Sequence, residues 1–163
     1  LQTGDIRLGD QHITDIHSKD LRRSIAVVSG AAPLYGKTVL DAIANSRKPE
    51  NREKAKLALA QWQLLFPILK GIMPHTRLRE GTPQLTSAQA TLLQNLRAHL
   101  TKKPFLILDE PFQGLDETSQ MKLLKLMQSG KPKKGILFLS ALPPAFLLEK
   151  LPVDWVKKLD EPV

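Results

Sequence analysis

Hydrophobic positions along the chain alternate between two patterns. Residues 24–29 (Ser-Ile-Ala-Val-Val-Ser), 105–108 (Phe-Leu-Ile-Leu) and 135–140 are short apolar runs of strand length. Between them the apolar residues fall at helical spacing. A short helix is predicted over 38–46 from Val39, Leu40 and Ile43, and a longer one over 49–70 from Leu57, Trp62, Leu65 and Leu69. Further helices are predicted over 87–100 and after Asp116. Residues 4–13 alternate weakly and read as a short strand and turn, and 71–83 read as loop. Pro143 and Pro144 open a last short helix, and 154–159 reads as an edge strand. The 105–108 run does not alternate at all, which predicts a strand buried on both faces. Strands interleaved with helices predict an α/β fold with a parallel sheet. The all-helical stretch 49–103 reads as an inserted subdomain, leaving 1–48 and 104–163 to form the core.

Composition narrows the classes without choosing among them. The 163 residues are 42% hydrophobic and 25% charged, ordinary values for a globular protein with one core. No apolar stretch approaches a membrane span; the longest, 64–69, is interrupted by Pro67. The absence of Cys excludes disulfides and thiolate metal sites, in keeping with a reducing compartment. No signal peptide is visible and the chain starts at Leu1, so it reads as a piece of something longer. A net charge of +8 admits nucleic acid, anionic lipid or nucleotide as partners. The basic residues are scattered, however, with small clusters only at 77–79 and 131–134, and no base-stacking aromatic pattern accompanies them. They read as a solvated surface, and no nucleic-acid partner is expected. The histidines, His99 included, have no metal-ligand spacing and read as surface or packing residues. Trp62 and Phe66 read as core.

The chemistry concentrates in residues 104–116. The apolar run stops at Asp109 and Glu110, where open α/β sheets place their ligands. An Asp there can help hold a Mg²⁺ that bridges phosphates, and a neighbouring Glu can accept a proton from attacking water. Upstream, Thr86-x-x-Gln89 has the form of a capping box, and a helix start is also a site for an anion. A third feature, Gly36-Lys37-Thr38, lies between a strand and a helix, as a phosphate loop does. Five residues separate it from the preceding glycine, Gly30, where that motif has four.

The order of these motifs resembles the nucleotide-binding domain of an ABC transporter of the exporter type, from after its Walker A loop to near its end. Gly4-Asp5-Ile6-x-Leu8-x-Asp10 is similar to the strand after the family's first helix. Residues 20–29, then Leu34-Tyr35 and Thr38-Val39-Leu40-Asp41-x-Ile43, resemble the Q-loop region. Leu85-Thr86-Ser87-Ala88-Gln89 occupies the place of the signature, residues 106–110 that of Walker B, and Gly114-Leu115-Asp116 that of the D-loop. The resemblance implies a partial P-loop NTPase-like parallel-sheet core carrying the helical subdomain. It implies Glu110 as catalytic residue and Asp109 as a Mg²⁺ holder through water. It also implies a nucleotide-binding role for Leu85 to Gln89, Asp109, Gly114, Leu115 and Asp116. ATP and Mg²⁺ are the expected cofactors. A second nucleotide-binding domain and a transmembrane domain are the expected partners, at the cytoplasmic face of a membrane. The chain departs from the family at Gly30 for the Q-loop glutamine and at Ala141 for the switch histidine. Ser87 and Ala88 replace the two signature glycines. These departures keep open a non-hydrolysing regulatory or dimerisation domain, and Gly36-Lys37-Thr38 keeps open a soluble P-loop kinase or NTPase. Without the upstream Walker A loop, the segment alone is expected to be inactive.

Overall fold

The computed structural model describes residues 4–29, 32–78, 85–129 and 135–141. The first element is a small antiparallel hairpin, β1 (Arg7–Leu8) and β2 (Gln11–His12), where a strand and turn were expected. Gly9 turns it with φ of +61°. A helix that the apolar pattern did not predict, α1 (Ser18–Ser24), leads into β3 (Ile25–Ser29). It is charged and exposed, so no hydrophobic period marks it.

Two further strands, β4 (Phe105–Asp109) and β5 (Gly135–Leu139), join β3 in a parallel sheet of order β3–β4–β5. The motif strand β4 is therefore central. Its register aligns Ser29, Asp109 and Leu139 in one row at the carboxyl ends. One face of the sheet is buried: Val28, Leu106 and Leu108 form a cluster with Ala98. On the other face Val27 is 61% exposed, Leu137 45% and Leu139 40%. The expectation that β4 is covered on both sides is thus met on only one side among the described residues, where no described helix packs over Val27 and Leu137.

Four helices build the rest. The predicted short helix is α2 (Val39–Ala44), and α3 (Pro49–Leu65) starts at Pro49, which suits a first helical turn. Pro67 cannot continue a helix, so the expected 49–70 helix ends early and a 3₁₀ turn, Pro67–Leu69, follows. Gln63 holds that turn by donating to the carbonyls of Leu69 and Ile72, at 3.3 and 2.7 Å. The inward face of α3 is Ala55, Leu59 and Trp62, continued by Phe66; Leu57 at 66% exposure and Leu65 at 38% lie outside it, correcting their assignment to the apolar stripe. The rings of Trp62 and Phe66 meet at 5.3 Å, and His99 packs 6.1 Å from Trp62.

Helix α4 (Ser87–Leu100) is buried nearly all round. It sets Leu92, Leu93 and Leu96 in the main core, while Ala98 meets the sheet. Helix α5 (Glu117–Ser129) closes that core with Leu123 and Leu124. The predicted helix at Pro143–Pro144, the 154–159 strand, the 131–134 cluster and Gly30 lie outside the described residues. Among the described residues no helix is long and apolar enough to cross a membrane.

An ion pair fastens α2 to α3. Arg52 Nη1 lies 2.6 Å from Asp41 Oδ1, and Asp41 Oδ2 also accepts from the Thr38 backbone N–H. The Arg52 hydrogen bond, followed by that from Thr38, holds the Asp41 carboxyl below its ordinary value of 3.8. A depressed carboxyl contributes stability above its unfolded value and loses it as pH falls through the folded one. The stability advantage of the wild type over Asp41→Asn should therefore be full at neutral pH. It should shrink as pH drops past the ordinary carboxylate range. Thermal melts of both proteins across acidic pH check this, and a gap independent of pH would rule out an ionic origin.

Candidate functional site

Asp109 is the last residue of β4, and its neighbour across the register is Ser29 at the end of β3. The Ser29 hydroxyl donates to Asp109 Oδ2 at 3.0 Å, fixing the carboxylate's direction while Oδ1 has no hydrogen bond among the described residues. Glu110 follows at the point where the chain leaves the sheet, and its φ is +47°, a left-handed conformation uncommon for a residue other than glycine. The opposite strand holds it there. The Glu110 N–H donates to the Leu139 carbonyl at 2.9 Å. Its carboxylate accepts from Ser140 Oγ at 2.9 Å through Oε2, and from the Ala141 N–H at 2.5 Å through Oε1. The central strand thus carries two adjacent carboxylates pinned by opposite neighbours, Asp109 by β3 and Glu110 by the end of β5. Sequence reasoning missed Ser29 and Ser140, because nothing in a strand's own pattern tells which strand will pair with it.

The signature-like segment is a built helix start. Thr86 caps α4: its hydroxyl accepts from the Gln89 N–H at 3.2 Å, and Gln89 Oε1 accepts from the Thr86 N–H at 2.9 Å. Gln89 Nε2 also donates to the Ile68 carbonyl, so its side chain ties α4 to the 3₁₀ turn. Leu85 packs against the core, and Ala88 is buried within it. The capping reading therefore holds for Thr86 and Gln89.

The structure brings the Gly114 turn against this helix start. Gly114 has φ of +74°, and a Cβ there would lie 2.8 Å from Ser87 Oγ and 3.2 Å from the Ala88 backbone nitrogen. Leu115 is buried in the core, and Asp116 caps α5, accepting from the N–H and the hydroxyl of Ser119 at 3.0 and 2.8 Å. Those two bonds, the backbone one first, lower the Asp116 pKa.

Gly36-Lys37-Thr38 does not form a phosphate cradle. The Thr38 N–H donates to the Asp41 carboxylate and the Thr38 hydroxyl accepts from the Asp41 N–H, so this residue is engaged in the capping box of α2. The Lys37 carbonyl accepts from the Leu78 N–H, and a Cβ on Gly36 would meet the Ala42 nitrogen at 2.7 Å. The kinase alternative is not favoured. A depression of about 490 Å³ along β3, lined by basic residues such as Lys54 and Arg97, contains neither Asp109 nor Glu110.

No group of three or more His, Cys, Asp or Glu that could hold a metal occurs among the described residues. What Asp109 and Ser29 offer is a hard oxygen set. That fits Mg²⁺, which keeps several waters and relies on one or two carboxylates plus substrate phosphates.

A parallel α/β sheet with acidic residues at the carboxyl end of its central strand belongs to the open α/β class, which binds its ligands at that edge. The match with known proteins narrows the class. The ABC transporter family profile matches residues 1–113. The chain is 29% identical over 139 residues to the glutathione/L-cysteine transport system ATP-binding/permease protein CydC of Escherichia coli, covering 85% of this chain and 24% of that protein. It is 35% identical over 130 residues to the ATP-dependent lipid A-core flippase of Shewanella frigidimarina, covering 77% of this chain and 21% of the flippase. A solved bacterial Atm1-family ABC exporter with ATP bound shares the fold at a TM-score of 0.69 and 20% identity, over 84% of this chain and 24% of that one. The chain belongs to the ABC transporter family, and membership implies ATP binding. It spans about a quarter or less of the length of these relatives.

Gly114→Ala should destabilise the fold by about 1–3 kcal/mol, the scale of holding a non-glycine residue in a sparsely populated backbone region. Combining it with Ser87→Ala removes the side-chain clash but not the backbone strain, so most of the loss should remain. Chemical denaturation of the single and double variants checks this; full recovery in the double variant would show that the clash alone sets the requirement.

Proposed function

We propose that this chain is the Walker B, signature and D-loop portion of the ATP-binding domain of an ABC exporter. In this reading ATP binding and hydrolysis at a dimer of such domains drive an attached transmembrane domain at the cytoplasmic face of the membrane. The observation that carries it is the pair of carboxylates at the carboxyl end of β4, each oriented by a different neighbouring strand. Glu110 is the catalytic residue, accepting a proton from the attacking water or orienting it. Asp109, aimed by Ser29, is the residue that would help hold Mg²⁺, and the ion would supply neutralisation of charge on the phosphates. The α4 start, Leu85 to Gln89, serves the nucleotide of the partner domain, and Gly114-Leu115-Asp116 lies beside it as the D-loop. The helical stretch 49–103 is the subdomain that presents this helix start, and 1–48 with 104–163 is the core.

One observation favours a second reading, a non-hydrolysing nucleotide-dependent regulatory domain. Both Glu110 oxygens already accept hydrogen bonds from Ser140 and Ala141, and Ala141 has no polar side chain to offer a phosphate. Glu110→Gln separates the two. In the full-length transporter of defined subunit composition, the substitution should lower ATP turnover about 100-fold, the lower end of general-base losses, while ATP binding persists. Steady-state turnover and equilibrium binding measured side by side check this. Unchanged turnover would remove Glu110 from the chemistry; absence of turnover in the wild type would favour the regulatory reading.

A further inference from the structure

Helix α4 carries Leu at 92, 93 and 96, yet the residue among them at 95 is an asparagine only 1% exposed. Asn95 Nδ2 donates to the Thr91 carbonyl and to the Pro111 carbonyl, both at 2.9 Å. Its Oδ1 is buried without a partner, as is the hydroxyl of Thr91 one turn earlier. Burying an unpaired acceptor costs stability, and a Leu or Met of similar size would avoid that cost. The gain is the grip on Pro111. This carbonyl belongs to the turn that leaves β4 directly after Glu110, which also contains the bonds from Gln113 N–H to the Glu110 carbonyl and from Leu115 N–H to the Phe112 carbonyl. The residue before Asn95 repeats the arrangement: Gln94 Nε2 donates to the Ala32 carbonyl, in the loop after β3. Two consecutive amides of α4 thus hold the loops at the ligand edge of two adjacent strands.

A strained backbone persists only where its surroundings over-determine it, and Glu110 at φ +47° needs such support. Two of its supports come from β5 and its end: the Leu139 carbonyl on the backbone, and Ser140 with Ala141 on the carboxylate. We propose that Asn95 is the third, a positioning residue that fixes the Glu110–Pro111 turn from the signature helix and thereby aims the Glu110 carboxylate. This inference rests on the catalytic reading of Glu110 for its kinetic consequence, but not for its structural one.

The test uses the full-length transporter with Asn95→Leu, and Asn95→Met if the branched side chain does not fold. Asn95→Leu should keep its KM for ATP, while kcat falls toward the roughly 100-fold loss of a misplaced catalytic group. In a Glu110→Gln background it should cause no further loss, because its effect passes through the carboxylate. Backbone hydrogen exchange across 109–116 should be about tenfold faster. Thr91→Val removes a buried unpaired hydroxyl on the same helix and should change neither kcat nor exchange in that turn. A kcat equal to wild type overturns the proposal, as does a loss that adds to that of Glu110→Gln or is reproduced by Thr91→Val. If Glu110→Gln itself leaves turnover intact, the catalytic reading fails, and exchange in the 109–116 turn alone decides for or against Asn95 as its anchor.

Discussion

The parallel register of three strands is the constraint on which the site depends. With β4 in the centre, Asp109 is aligned with Ser29 on β3 and with Leu139 on β5, of which only Ser29 carries a polar side chain, and the chain leaving β4 bonds to the end of β5. The two carboxylates are adjacent in sequence yet acquire different partners from opposite sides, Ser29 for one and Ser140 with Ala141 for the other. A slip of one residue between β4 and either neighbour would turn the wrong face of the strand to the core and dissolve the pairing on that side. The buried row of Val28, Leu106 and Leu108 against Ala98 resists that slip, so apolar packing on one side of the sheet sets polar geometry at its end.

Helix α4 then connects everything that the sheet does not. It is wrapped by apolar neighbours from α2, α3 and α5, and its capped start meets both the Pro67–Leu69 turn and the Gly114 turn. It links the signature-like segment at its start to the loops after β3 and β4, which Gln94 and Asn95 hold. Among the described helices α4 has the most buried residues, polar Thr91, Gln94 and Asn95 among them.

Much of this was legible from the residues alone. The apolar runs located β3, β4 and β5, the helical spacing located α2 to α5, and Thr86-x-x-Gln89 announced the cap that forms. Site positions were legible where local chemistry dictates them, as with two carboxylates closing an apolar strand. What could not be read is what depends on distant pairing. Ser29 meets Asp109 across 80 residues of sequence, and Asn95 meets Pro111 by the way α4 lies behind the sheet. The charged helix α1 lacked an apolar stripe and so left no period. Leu57 misled because only one side of α3 faces the core, and the phase of that side is set by Ala55, Leu59 and Trp62.

The left-handed backbone at Glu110 has a consequence for how this position can vary. Glycine adopts that conformation freely and asparagine or aspartate do so more readily than glutamate, so backbone preference alone would not choose glutamate there. Selection for foldedness pulls position 110 toward a small or glycine residue, and only a demand for a longer acid pulls it back. A lineage released from that demand would drift toward the relaxed residue and gain stability as it lost the carboxylate. Glutamate at 110 is thus held against the grain of its own backbone, by the bonds that the end of β5 makes to its N–H and its carboxylate.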